Sequence, residues 1–334
     1  MLKPKGFSLV EMLIAGVLGL VVFGGMINLF IASDSITEDT VQNGELQEVG
    51  TYALNVLTKD LMMHGYFGEY TGSNMMNANL HASAVSEDCT GENGNNGSFP
   101  NTSDFSFRTL WMMIATGVDD FGCIVNAKAG STILQIKRGI SDELDPGDEK
   151  KTRYYIKSNR DEIHFYAGND QASVNTSMAK NLIMEYQNRI YYVRIEDQGG
   201  ISVPILARYQ LEKAEDAAAN AGRLTSYDLA EGIEYINFLM GVDNNSDGVA
   251  NFYLPVADMA TSRDYWDQSG GMAIVSAKVF VLARALTPDE SLQNKNSYDL
   301  GSWIFTAKGD GYRRMLFTNT VYIANKGLQG WVEQ

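Results

Sequence analysis

The sequence predicts an α+β protein: one long N-terminal helix, its first half able to cross a membrane, packed on antiparallel β-sheet. Three observations carry this expectation. Residues Met12–Ile31 hold no charge, and at 1.5 Å per residue such a helix reaches about 30 Å, the hydrocarbon thickness of a bilayer. Leu46, Val49, Ala53, Val56, Leu57 and Leu61 then recur at helical spacing, which makes one face apolar. From Thr132 onward β-like runs follow that helix rather than alternating with helices, the pattern of antiparallel sheet. The expected boundaries are residues 1–6, 7–32 for the membrane half, 33–66 for the amphipathic half, and 67–334 for an α+β head.

The first stretch sets Lys3, Lys5 and Gly6 before an apolar run with one early carboxylate, Glu11. A secretory signal peptide has a shorter apolar region, about 7–15 residues, and a small-x-small cleavage site. Here the run is longer, and Phe30-Ile31-Ala32-Ser33 places a bulky residue at the wrong point. A plain membrane anchor explains the length but leaves Glu11 at a cost of about 2.5–3.5 kcal/mol, unless it reaches water at the cytoplasmic edge. The order Lys-x-Lys-Gly, Phe-Ser-Leu-Val-Glu, apolar run resembles the class III signal of type IV prepilins and pseudopilins. The resemblance implies that the prepilin peptidase cuts between Gly6 and Phe7 and methylates Phe7. Gly6, with no side chain, lets an extended scissile bond enter a narrow site. It also implies that Glu11 pairs with the positive N-terminus of a neighbouring subunit in an assembled fibre and sets its axial register.

Charge orients the segment. After Lys5 the next basic residue is Lys59, while Asp34, Glu38, Asp39, Glu45 and Glu48 follow the apolar run. Lysines before and none just after predict a cytoplasmic N-terminus and a periplasmic head. Net charge is −15, a surface that repels phosphate backbones and disfavours nucleic acid as a partner. Cys89 and Cys123 would then meet an oxidising compartment and are expected to pair; two separate buried thiols are the alternative.

Along the chain, Gly24-Gly25 and Asn43-Gly44 are the expected weak points of the helix. His64-Gly65-Tyr66-Phe67-Gly68 ends it, with Gly65 suited to a left-handed cap. Residues 71–103, rich in Gly, Asn and Ser, read as a loop, and no Gly-Lys-Ser/Thr follows to make it a phosphate loop. Strands are expected at residues 132–137, 153–157, 162–166, 189–195, 201–210, 233–239, 250–254, 272–283 and 313–323. Residues 214–221 read as a short helical excursion.

A narrower resemblance rests on Lys-Asp-Leu-Met-Met-His-Gly-Tyr-Phe-Gly (59–68), Tyr191-Tyr192-Val193-Arg194 and Leu229-Ala230-Glu231-Gly232-Ile233-Glu234. Gly241-Val242-Asp243 and Tyr312-Arg313-Arg314…Phe317-Thr318-Asn319-Thr320-Val321 extend it. Together they resemble PilW-type minor pilins of type IV pili. That resemblance implies a pilin-like protein in a priming or tip complex with other minor pilins, the major pilin and the inner-membrane assembly platform. It would support pilus biogenesis and twitching motility, and be stored in the lipid bilayer before assembly. A J-type minor pseudopilin of type II secretion, a tip adhesin and an anchored periplasmic enzyme are the rival expectations.

One candidate metal site stands out. Asp243-Asn244-Asn245-Ser246-Asp247-Gly248-Val249 puts oxygen-bearing side chains at positions 1, 3 and 5 of a calcium loop, with glycine at 6 and the Val249 carbonyl at 7. Position 12 is Leu254 instead of a bidentate Glu, so the alternative is a solvated turn between strands. His64, His81 and His164 show no metal-ligand spacing, and no Gly-x-Ser-x-Gly or His-Glu-x-x-His occurs. The expectation is a protein without catalysis of its own and without a required cofactor.

Overall fold

The computed structural model describes residues 8–71, 79–82, 85–90, 96–100, 107–140, 143–170, 178, 181–213 and 221–325. Helix α1 spans Leu9–Met62 without a break, through both expected weak points. Met63 caps it, and Gly65 follows at φ +66°, the left-handed conformation open to a residue without Cβ. There the Gly65 N–H donates to the Lys137 carbonyl at 3.0 Å, turning the chain into the body.

The body corrects the expected fold class. Strand outweighs helix about two to one, and the helix is not packed on one small antiparallel sheet. In order the strands are β1 (Asn79–His81), β2 (Val85–Ser86), β3 (Leu110–Ile114), β4 (Thr132–Gly139), β5 (Tyr154–Ser158), β6 (Ile163–Ala167), β7 (Leu182–Gln198), β8 (Ile201–Lys213) and β9 (Gly222–Glu231). These nine form one curled sheet whose main path runs β1-β6-β5-β7-β8-β9-β2, with β3 joined through β4 to β7. The sheet is mixed, because β1 pairs with β6 and β2 with β9 in parallel. Both short strands lie in the stretch expected to be loop.

Strand β7 is the hub. Its residues 182–186 pair with β5, 186–191 with β4 and 189–198 with β8. A second sheet follows from β10 (Ile233–Asp243), β11 (Phe252–Pro255), β12 (Ala273–Arg284) and β15 (Arg314–Tyr322), in the order β11-β10-β12-β15 and antiparallel throughout. Two short helices, α2 (Val256–Met259) and α3 (Arg263–Asp267), and the hairpin of β13 (Ser297–Asp299) and β14 (Ile304–Thr306) complete the described elements. Of the expected helical excursion, residues 214–220 lie outside the described residues.

Burial explains the two sheets. Every residue of β4 is buried, as in a strand covered on both faces. On one face Leu134, Ile136, Tyr191 and Val193 share a core with Leu46, Ala53, Leu57 and Leu61 of α1 and with Phe238 and Val279 of the second sheet. On the other, Ile133, Ile190 and Tyr192 pack with Cys89, Phe121 and Ile124. Phe67, Phe99, Phe107, Phe165 and Tyr186 form an aromatic cluster beside it. Cys89 and Cys123 are joined as a disulfide, closing the segment that covers this second face.

Candidate functional site

The feature that nothing among the described residues covers is the first half of α1. Leu9–Phe30 is a 22-residue apolar span, none of it buried among the described residues. Apolar side chains stand out on every side, Leu9 and Met12 each at 77% exposure. A helix that is apolar all round belongs in a bilayer or against other helices. Its one strongly polar residue in the run is satisfied internally, Asn28 Nδ2 donating to the Gly24 carbonyl at 2.9 Å. Thr37 and Thr40 do the same toward Ser33 and Ile36, each at 2.8 Å, so these groups need no water.

Glu11 sits in the first turn. Its Oε2 accepts a long bond from the Ser8 N–H at 3.4 Å, and no ion pair reaches it among the described residues. An acidic side chain there also complements the positive end of the helix. Gly6 and Phe7, the expected cleavage pair, lie outside the described residues.

The second half of α1 is held differently. Leu46, Ala53, Leu57 and Leu61 are buried against the sheets, as their spacing predicts. Gly50 fits under Phe317 of β15, where a Cβ would come within 2.1 Å of the ring. On the same buried stripe lies Asp60, which the sequence reading passed over. Its carboxylate accepts from Arg138 Nη2 at 2.8 Å, from Arg189 Nη1 at 2.9 Å, and from the Tyr191 hydroxyl. Burial pushes the carboxyl up, but the two guanidiniums and the phenol outweigh it and hold it below the usual range. The overlooked signal is a carboxylate three residues after Leu57 on an apolar face. Such a group is buried only when it is paired.

Nearby, His64 is wholly buried, with Nδ1 3.4 Å from the Thr109 hydroxyl; burial pushes its pKa down to about 4. Further out, Arg313 bridges Asp39 of α1 and Asp289, the latter at 2.7 Å. Arg314 of β15 grips Glu234 at 2.6 Å and Asp310 at 2.6 Å.

The Asp243 turn connects β10 to β11. Asp243 is buried and its carboxylate accepts N–H bonds from Asn245 (3.0 Å), Ser246 (2.8 Å) and Gly248 (2.7 Å). Asn245 Oδ1 accepts from the Asp247 N–H at 3.3 Å, and Asp247 Oδ1 from the Val249 N–H at 2.8 Å. The turn thus closes on its own amides, and no group of three His, Cys, Asp or Glu suited to a metal occurs among the described residues.

Residues 190–325, from inside β7 through β15, match the model of the PilW family, Type IV Pilus-assembly protein W. That bears out the expected family over these residues and supports a part in type IV pilus assembly. No curated protein and no solved structure matches the chain.

Proposed function

From a chain whose residues 190–325 match the PilW family, we propose a membrane-inserted minor pilin that joins other minor pilins in priming the pilus. The observation that carries this reading is one helix of two characters: an uncovered apolar span, Leu9–Phe30, continuous with a docked half that ends in the Asp60 network. The span is stored in the bilayer, N-terminus in the cytoplasm, and then packs against neighbouring stems in the fibre. Prepilin peptidase frees Phe7 by cutting after Gly6, and Glu11 pairs with a neighbour's N-terminus. The head adds no catalysis.

The test is a deletion strain complemented with wild type or Glu11→Ala. Deletion abolishes surface pili and twitching and leaves type II secretion intact; the reverse pattern assigns the chain to a secretion pseudopilus. Glu11→Ala is processed and membrane-bound but missing from sheared pili, and its normal incorporation would remove the role. Calcium at Asp243, Asn245, Asp247 and Val249 and a solvated turn closed on its own amides are separated by one measurement. Excess calcium then raises the melting temperature of wild type and not of Asp243→Ala, and an unchanged wild type rules the ion out.

A further inference from the structure

Lys137 of β4 is wholly buried, and its Nζ has no hydrogen-bond partner among the described residues. Its contact is the Phe107 ring, with Nζ 4.3 Å from the centroid. A buried ammonium left unpaired costs several kcal/mol, so such a group loses its proton. Burial lowers the Lys137 pKa well below its ordinary value, Asp88 raises it, and the Arg108 charge lowers it further. A neutral amine in an apolar pocket is a nucleophile.

Directly across the ladder from Lys137 stands Asn188 of β7. Facing residues of an antiparallel pair share one side of the sheet, their Cβ atoms about 4.5–5.5 Å apart, well within the reach of a lysine arm. Asn188 is also wholly buried, and its Oδ1 has no partner. Its Nδ2 donates to Ser98 Oγ at 2.9 Å, and Ser98 Oγ donates to Asp88 Oδ1 at 2.7 Å. Tyr186, two residues earlier on the same face, donates its hydroxyl to the Ser98 carbonyl. A buried amine and a buried carboxamide therefore stand opposite each other on one side of the sheet, and the amide nitrogen leads through Ser98 Oγ to the Asp88 carboxylate.

We propose that Lys137 and Asn188 form an intramolecular isopeptide bond joining β4 to β7. Lys137 Nζ attacks Asn188 Cγ, and the new C–N bond forms. The proton released by the attacking nitrogen passes by way of Asp88 and Ser98 Oγ to Nδ2. The Cγ–Nδ2 bond then breaks and ammonia leaves, with no oxidant or cofactor consumed. The neighbours in sequence give the link its purpose. Arg138 and Arg189, one residue on along each strand, are the two guanidiniums that hold Asp60 of α1. Tension on the stem enters the head through these two strands, and the bond keeps them from separating. That mechanical role rests on the pilus reading; the bond itself does not.

The test is tryptic mapping of the full chain extracted from membranes in detergent. Cleavage after Lys137 fails, and a branched peptide joins residues 129–138 to 181–189, lighter than their sum by one ammonia. Lys137→Arg and Asn188→Ala each abolish the branched peptide. Recovery of linear peptides cleaved after Lys137 from folded wild type overturns the proposal, whatever the variants do. A branched peptide in a chain dispensable for pili would leave the bond standing and remove the pilus reading.

Discussion

The two halves of α1 carry one carboxylate each at a telling place, and they are treated in opposite ways. Asp60 is sunk among Arg138, Arg189 and Tyr191 within its own chain. Among the described residues Glu11 has only the backbone N–H of Ser8, at 3.4 Å. The apolar residues divide likewise, Leu57 and Leu61 fully buried, Leu13 and Leu20 mostly exposed. The docked half is complete in one molecule. The first half, Leu9–Phe30, leaves its apolar surface uncovered among the described residues, and the proposed function gives that surface to lipid or to a second subunit.

That contrast can be broken from either side. The largest effect is expected from Asp60→Ala, which strands two buried guanidiniums and should cost about 3–5 kcal/mol in denaturant unfolding of the detergent-solubilised chain. Acid acts on the same network: the Asp60 carboxyl is depressed in the fold, so its stabilisation is present above about pH 4 and is lost as pH falls through the lowered folded value. His64 gives the next effect. Its folded pKa, about 4, lies below the unfolded 6.5, so stability is full above pH 6.5 and declines toward pH 4. The loss approaches about 3 kcal/mol, and His64→Leu should flatten stability across that window. Gly50→Val drives a side chain into Phe317 and should cost about 1–3 kcal/mol. Arg313→Ala removes a partly exposed bridge and should change stability by less than about 1 kcal/mol. Leu13→Ser on the stem should leave the unfolding midpoint where it was and lower only the yield of assembled fibre.

The helix was legible because its cues are local: a charge-free run, then Leu46 to Leu61 at one spacing. The runs at 132–137 and 272–283 were legible because β-branched and other apolar residues dominate them. Strand β9 escaped because most of Gly222–Glu231 is exposed or half-buried, and gives no alternation to read. Strands β1 and β2, of three and two residues, are too short to have a period. The fold class failed for a non-local reason. That β7 serves β4, β5 and β8 at once is decided by pairings far apart in sequence, which no window of residues contains. Asp60 was hidden for the same reason, because its partners lie on β4 and β7. The Glu11 position was visible at once, through the order of residues around it.

Asp39 of α1 meets Arg313 across 274 residues of sequence, and β15, against which Gly50 rests, begins at Arg314. The stem therefore leaves the ribosome long before the strand that will seat its lower half. During synthesis the helix can meet β4 and β7 of the larger sheet first, while the part of the Leu46–Leu61 face that packs on the second sheet waits for β12 and β15. Seam closure becomes a late, long-range event, slow by its loop length and exposed to misassembly meanwhile. A chain stopped before β15 would keep its apolar N-terminal span and lose the strand that Gly50 rests against.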